Sequence, residues 1–168
     1  MPRYGCINER KNQLHEVIRL SGMNLIISNN DHQLIIKVAS VPGTRQQVYF
    51  VDNDDFFRRK AIERDRETGA FFEDNDIRSL FFARGVLETV KKLRWSPECI
   101  HLCGWIGAFI PAYLKFRYKD DPIFSKTKTV VSLFGSDSFE EKLSDVQREY
   151  IKMYWYEQKN TAQIAREN

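Results

Sequence analysis

The chain has 168 residues, of which 42% are hydrophobic and 29% charged, proportions typical of a globular protein with one core. Its 26 basic and 23 acidic side chains give a formal net charge of +3, and they form no clustered basic face, which argues against a nucleic-acid partner. No run reaches the roughly 18 apolar residues of a membrane-spanning helix, and the first residues lack the apolar core of a signal peptide. We therefore expect a cytoplasmic protein with no membrane partner.

The cysteines Cys6, Cys99 and Cys103 are an odd number, and free thiols are expected in a reducing compartment. His101 lies between the last two, and in a strand the side chains of Cys99, His101 and Cys103 would share one face. A closed zinc site needs four ligands, usually as two pairs. The sequence therefore predicts no metal site.

The first fifty residues are predicted to form closely spaced strands. Three apolar runs lie at residues 23–28 (MNLIIS), 34–39 (LIIKVA) and 48–51 (VYFV), and a weaker one lies at residues 14–20. Clusters of Asn, Asp, Pro and Gly separate the apolar runs and indicate turns. Four strands at this spacing predict a β-hairpin or meander at the N-terminal end.

The middle of the chain changes to a helical period. Between Asp76 and Arg94 the apolar residues recur every three or four positions: Ile77, Leu80, Phe81, Val86, Leu87, Val90 and Leu93. Asp74 or Asn75 would cap the start of this helix, and the Ser-Pro pair at residues 96–97 would end it.

A strand, a helix and a second strand are predicted next. Residues 99–103 (CIHLC) and 129–134 (TVVSLF) are short apolar runs of the kind found in parallel sheets that are covered on both faces. Gly104 would open the intervening helix, which runs through Lys115. This order predicts an α/β crossover unit.

The binding edge of such a sheet lies beyond the carboxyl ends of its strands. We therefore expect chemistry in the loops after Val51, Cys103 and Phe134. The basic run Arg58-Arg59-Lys60 is instead predicted to be a solvated helix end, since acidic residues follow it closely.

Four segments stand in the order and spacing of one family's motifs. They are residues 2–7 (PRYGCI), 48–59 (VYFVDNDDFFRR), 74–84 (DNDIRSLFFAR) and 96–114 (SPECIHLCGWIGAFIPAYL). The second is similar to Val-Tyr-Phe-Ile-Asp-Asn followed by Tyr-Phe-x-Arg, and the third to Asp-Asn-x-x-Arg-Phe-x-x-Phe-x-Arg. The fourth is similar to Pro-Asp-Val-(Val/Ile)-His-x-His-Asp-Trp-His-x-Ala-x-x-Pro-x-Tyr-Leu. Over residues 1–134 the chain thereby resembles the glycogen and starch synthases.

This resemblance implies an α/β fold, namely an incomplete Rossmann-like N-terminal domain of a GT-B glucosyltransferase. We assign residues 1–137 to that domain and residues 138–168 to a helical tail without family resemblance. The family transfers glucose from ADP-glucose or UDP-glucose to the non-reducing end of an α-1,4-glucan, with retention at the anomeric carbon. It requires no metal, and no cofactor is expected.

The resemblance also suggests site residues. Asp74, Asn75 and Trp105 stand at positions that would bind the glucan acceptor. Each has a structural alternative, because Asp74 and Asn75 would serve equally as helix caps and Trp105 as a core anchor. His101 is the candidate catalytic residue, with a core or hydrogen-bonded histidine as its alternative.

Three departures from the family pattern argue against activity. Cys103, Gly104 and Ile106 stand where the family has a histidine, an acidic residue and the histidine placed at the reacting sugar. Isoleucine cannot supply the hydrogen bonds of an imidazole. Arg78 and Arg84 match family arginines and are expected to make structural pairs.

The family's Lys-x-Gly-Gly loop and its second domain have no counterpart in this sequence. We therefore expect the chain alone to be inactive and to bind no sugar nucleotide without the second domain. Two alternatives stay open beside a synthase fragment that a complementary chain completes. They are a non-catalytic α-glucan-binding module and a partner-interaction module that uses the aromatic residues of the tail.

Overall fold

The structure is a computed structural model that describes residues 1–132, in which two compact units are distinguished. The first unit is Met1–Ser96 and the second begins at Pro97, so their boundary falls inside the predicted 1–137 domain. The predicted tail and Phe134 lie outside the described residues. Within residues 1–132, no helix has both the length and the apolar character needed to cross a membrane.

The first unit contains a four-stranded antiparallel sheet. Its strands are β1 (His15–Glu16), β2 (Met23–Ile27), β3 (Asn30–Ser40) and β4 (Gln47–Asp52), and β3 pairs with each of the other three. The predicted run at residues 14–20 thus yields a strand of two residues. It has no sustained apolar alternation, which is the pattern that specifies a half-buried strand.

A tight turn joins β2 to β3. Ile27 pairs with Asn30, which leaves Ser28 and Asn29 as the two loop residues. Their φ angles are 50° and 64°, the left-handed conformations of a type I′ hairpin turn. Because two residues suffice for this turn, β3 begins at Asn30, four residues before the apolar run that predicted it.

A short and a long helix follow β4. Helix α1 (Asp54–Phe57) is capped by the side chain of Asn53, which accepts a hydrogen bond from the backbone of Asp55. Helix α2 (Asn75–Lys92) is the predicted amphipathic helix, shifted by one or two residues at its ends. A Cβ at Gly85 would lie 3.0 Å from a methyl group of Leu34, so this glycine lets α2 approach the sheet closely.

The second unit contains two parallel strands, β5 (Cys99–Cys103) and β6 (Lys128–Ser132). The bounds of β5 agree with the predicted strand. Val130 and Val131 on β6 are 51% and 45% exposed. The predicted covering of both sheet faces is therefore absent at β6 within the described residues.

The predicted helix from Gly104 to Lys115 is wrong as a single element. A 3₁₀ turn (Trp105–Gly107) precedes helix α3 (Ile110–Phe116), and Pro111 lies in the first turn of α3. Proline has no N–H to bond to Gly107 and is favoured in the first turn of a helix. A continuous helix through Pro111 would lose that hydrogen bond, and a new helix instead begins at Ile110 with the proline in its first turn.

The first seven residues pack along β4 and α1. Pro2 forms a parallel bridge with Val51, and the buried ring of Tyr4 meets Phe57 edge-on with ring centroids 5.9 Å apart. The backbone N–H of Gly5 donates to the carbonyl of Arg59 over 2.9 Å. A Cβ at Gly5 would lie 1.8 Å from the carbonyl oxygen of Arg58. Only glycine permits this backbone approach.

Replacing that glycine should therefore destabilise the first unit. We expect Gly5→Ala to lower the free energy of unfolding by about 3 kcal/mol, at the upper end of overpacking effects, because the clash is with backbone. Gly22→Ala is the control: a Cβ there has no neighbour within 4 Å, although φ is 79°, so the cost should be only about 1 kcal/mol of backbone strain. Urea unfolding measures both, and equal costs would contradict the close packing at Gly5.

Tyr4 provides a prediction of pH dependence. Burial raises the pKa of its phenol to about 12, above the unfolded value near 10. The stability that this shift contributes is present below about pH 10 and is lost as pH rises towards 12. Tyr4→Phe should flatten the alkaline decline in unfolding free energy by roughly 2 kcal/mol, and the two proteins should differ little in stability at pH 8. Urea titrations at several alkaline pH values with parallel curves would refute this.

Candidate functional site

A cluster of charged residues lies at the carboxyl end of β4, one of the places expected to carry chemistry. Arg3 donates to Asp52 and to Asp54, each over 2.7 Å. Lys37 lies 2.9 Å from the other oxygen of Asp52 and 2.8 Å from Glu9. Burial opposes the charged form of Lys37, but its hydrogen bonds to Glu9 and Asp52 outweigh burial and raise its pKa. Every charge of the cluster has an oppositely charged partner, and these pairs hold the N-terminal segment on the sheet.

Arg78 on α2 lies in the core of the first unit. Its side chain is fully buried. Nε donates to the carbonyl of Phe56 over 2.8 Å, and Nη1 donates to Oδ1 of Asn75 over 2.6 Å. The guanidinium also lies 5.8 Å or less from the ring centroids of Tyr4, Phe57 and Phe72. Burial lowers the pKa of Arg78. The structural role predicted for this arginine is confirmed.

Arg84, the second arginine of that prediction, also contacts the protein. Its Nη1 donates to the carbonyl of Ile26, which links α2 to the end of β2. This contact favours the structural role predicted for Arg84, and that role stays a prediction.

Asn75, a candidate glucan-binding residue, lies within the network around Arg78. The residue is 6% exposed. Its Oδ1 accepts from Arg78, and its Nδ2 donates to the carbonyl of Glu63 over 2.9 Å. Asn75 thereby links the start of α2 to the preceding loop. This geometry favours a structural role, and a sugar contact by Asn75 stays a prediction.

Asp74 occupies the N-cap position of α2 but does not cap it. Its side chain makes no hydrogen bond to the helix backbone, so the predicted capping bond is wrong. Both carboxylate oxygens instead accept from Arg59, at 2.6 Å from Nη1 and 2.7 Å from Nη2. A bidentate pair with a guanidinium is stronger than one neutral N–H bond, which explains the preference. The side chains of Arg59 and Asp74 are 37% and 32% exposed.

Sequence reasoning did not single out Arg59 as a partner of Asp74. The run Arg58-Arg59-Lys60 was expected to be a solvated helix end, and Arg58 does follow α1 and is exposed. Arg59 instead points towards the start of α2, where its hydrogen bonds to Asp74 raise its pKa against the opposing effect of burial. The sequence did mark Arg59 in one way, because it stands at the arginine of the segment similar to Tyr-Phe-x-Arg. Spacing alone cannot show a contact across fifteen residues.

His101 lies on the exposed face of β5. Its Nε2 is 2.8 Å from the hydroxyl of Ser132 on β6 and 4.0 Å from the sulfur of Cys103. The hydrogen-bonded alternative for His101 therefore describes the observed contact. Its neighbour Cys103, like Cys6 and Cys99, is an exposed free thiol. In the described part of the chain, no group of three or more His, Cys, Asp or Glu side chains is arranged to hold a metal ion.

Trp105 begins the 3₁₀ turn after β5 and is 8% exposed. Its burial favours the core-anchor alternative, and its contact with sugar stays a prediction. Gly104 before it has φ 73° and ψ −170°, a conformation open to glycine and costly for other residues. The acidic residue of the family pattern would be strained with this backbone.

The four candidate site residues are divided between the two units. Asp74 and Asn75 lie together at the start of α2 in the first unit, and His101 and Trp105 follow one another on β5 and the 3₁₀ turn in the second. The first unit thus presents a half-exposed carboxylate held by an arginine. The second presents a histidine hydrogen-bonded to serine.

The sequence of this chain is similar to those of several glycogen synthases. Glycogen synthase of Chlorobium limicola is 37% identical over 133 residues, which are 79% of this chain and 27% of that protein. Glycogen synthase of Chlorobium luteolum is 38% identical over 136 residues, 81% of this chain and 28% of that protein. Glycogen synthase of Chlorobaculum tepidum is 34% identical over 151 residues, which are 85% of this chain and 31% of that protein. The chain thus spans between a quarter and a third of the length of these relatives.

A solved structure shows the same fold. The catalytic domain of starch synthase IV from Arabidopsis thaliana, bound to ADP and acarbose, superimposes with a TM-score of 0.63 at 18% identity. The match covers 80% of this chain and 26% of that one. The chain therefore has an α/β fold similar to part of a GT-B starch synthase catalytic domain.

A family model, the starch synthase catalytic domain, matches residues 1–165. The match includes the segments that carry the motifs and extends beyond them into residues 138–165, where the sequence shows no motif. The chain belongs to the family of starch synthase catalytic domains.

Proposed function

We propose that this chain forms the acceptor-holding part of an α-glucan synthase and that it does not transfer glucose by itself. The observation that carries the proposal is the asymmetry of the family match. The chain is 37% identical to a glycogen synthase over 79% of its own length, yet it spans 27% of that protein. The complete enzyme would transfer glucose from ADP-glucose or UDP-glucose to the non-reducing end of an α-1,4-glucan.

The contact with the acceptor is assigned to Asp74. A carboxylate accepts hydrogen bonds from hydroxyl groups, which are the groups that a glucan presents. The side chain is 32% exposed and stands at the start of a long helix, where the backbone dipole favours negative charge. Among Asp74, Asn75 and Trp105, it is the one with a substantially exposed polar group, so we place it first.

The proposed inactivity is supported by the residues that follow β5. Cys103, Gly104 and Ile106 replace the polar residues of the family pattern, and the backbone of Gly104 is unsuited to an acidic side chain. Transfer from a sugar nucleotide depends on groups that stabilise the leaving diphosphate. We assign those groups to polypeptide outside these 168 residues, either a continuation of the chain or a complementary chain.

The exposed apolar residues of β6 support a further polypeptide. Val130 and Val131 are both about half exposed, whereas a parallel strand is normally covered on both faces. Because consecutive side chains of a strand point to opposite faces, complementary polypeptide on both faces of β6 would remove these side chains from water.

A glucose-transfer assay tests the proposed inactivity. With ADP-glucose or UDP-glucose and glycogen, the purified chain should incorporate no labelled glucose above background, because it has no imidazole at Ile106 to contact the reacting sugar. Glycogen synthase of Chlorobium limicola serves as the active control. Measurable turnover by the purified chain would overturn the proposal.

A sugar titration tests the acceptor-holding role, which the chain would also have as a non-catalytic glucan-binding module. Maltoheptaose should bind to the folded chain, and Asp74→Asn should weaken binding by about tenfold through loss of charge-assisted hydrogen bonds. Asp65→Asn, in an exposed turn, is the control and should bind like wild type. Calorimetry or NMR provides the dissociation constants. No binding by folded wild-type protein up to millimolar sugar would contradict acceptor binding.

A further inference from the structure

We propose that Arg59 is the positioning residue for the glucan contact of Asp74. It holds the carboxylate away from the helix backbone and directs its remaining lone pairs towards adjacent hydroxyl groups of one glucose unit. The inference rests on the proposed function, in which Asp74 contacts the acceptor, and assigns to Arg59 a role that acts through Asp74.

The geometry of the pair leaves the carboxylate free to bind. Two parallel bonds, of 2.6 Å and 2.7 Å, join Nη1 and Nη2 of Arg59 to the two oxygens of Asp74. An ionised carboxylate has about four acceptor sites, so a bidentate arginine occupies half of them. One site on each oxygen remains, which suits a pair of neighbouring hydroxyl donors.

Arg59 is itself fixed on two sides. Its guanidinium carbon lies 4.6 Å from the ring centroid of Phe72, and its backbone carbonyl accepts the N–H of Gly5 over 2.9 Å. A side chain held by packing and a backbone held by hydrogen bonding together orient the guanidinium before any ligand arrives. Such pre-organisation of a supporting residue is what a binding site requires.

Arg59 also competes with the helix for Asp74. An aspartate at an N-cap position normally accepts a hydrogen bond from the backbone N–H of the second or third helical residue. At Asp74 that bond is absent, and the carboxylate faces Arg59. Removing the guanidinium would let the carboxylate turn to cap α2. The substitution should therefore replace one stabilising contact with another while it removes the orientation needed for sugar.

Solvent and ligand reach the pair. The two side chains are 37% and 32% exposed, unlike the fully buried Arg78 one helical turn away. A typical surface ion pair contributes about 0–1 kcal/mol to stability, and bidentate geometry places this pair towards the upper end of that range. The pair is thus stable enough to orient the carboxylate and exposed enough to meet a polyhydroxyl ligand.

The test compares affinity with stability in Arg59→Ala. We expect the maltoheptaose dissociation constant to rise by about tenfold while the urea midpoint stays close to that of wild type, since capping compensates for the lost pair. Low millimolar guanidinium chloride should restore part of the affinity, and an equal concentration of sodium chloride should not. Arg64→Ala is the matched control, because Arg64 also stacks on a phenylalanine of this loop, 3.6 Å from the ring centroid of Phe71, and should bind sugar like wild type.

Each result has a defined meaning. Wild-type affinity in Arg59→Ala, beside weakened binding in Asp74→Asn, would overturn the role of Arg59 and leave the proposed function standing. Loss of affinity together with an equal loss of stability and no rescue by guanidinium would show a merely structural pair and also overturn it. Absence of binding by the wild-type chain would refute the proposed function itself, and the role of Arg59 with it.

Discussion

The buried guanidinium of Arg78 is the constraint on which the first unit depends. A fully buried cation is tolerated only where its N–H groups find acceptors, and those of Arg78 reach Phe56 and Asn75. The rings around it come from other segments, with Tyr4 from the N-terminal strand-like segment and Phe57 from α1. Residues from three of the four family motifs therefore surround this one guanidinium. They are separate in sequence and form a single structural unit in the fold.

Two arginines bind the two polar side chains at the start of α2, and each binds a different one. Arg78 points inward and orients Asn75, while Arg59 approaches from the loop side and engages Asp74. The adjacent residues Asp74 and Asn75 thereby differ in their surroundings: one is half exposed and charged, and the other is buried and neutral. The Asp-Asn pair of the motif thus supplies one group for solvent and one for the core. This difference in exposure is why Asp74 is placed before Asn75 as the proposed contact for a ligand.

Local sequence patterns predicted the elements better than the contacts. Helix α2 and strand β5 were located within two residues because apolar periodicity and a Ser-Pro stop are local signals. The break at Pro111 was also local but was outweighed by the helical composition around it. The pairing of Arg59 with Asp74 and the burial of Trp105 depend on distant segments, which periodicity does not report. The family resemblance selected the candidate positions, and the structure shows what surrounds them.

The contact between Gly5 and the backbone of Arg58 and Arg59 has a mechanical consequence. Because the two backbones touch and share a hydrogen bond, residues 4–6 and the start of the 58–74 loop are coupled and must move together. A sugar that immobilised Asp74 and Arg59 would thus also reduce the motion of the N-terminal segment. Cys6 lies next to Gly5 with an exposed thiol, so in a variant whose other exposed thiols, Cys99 and Cys103, are replaced by serine, a fluorophore on Cys6 would report sugar binding at Asp74.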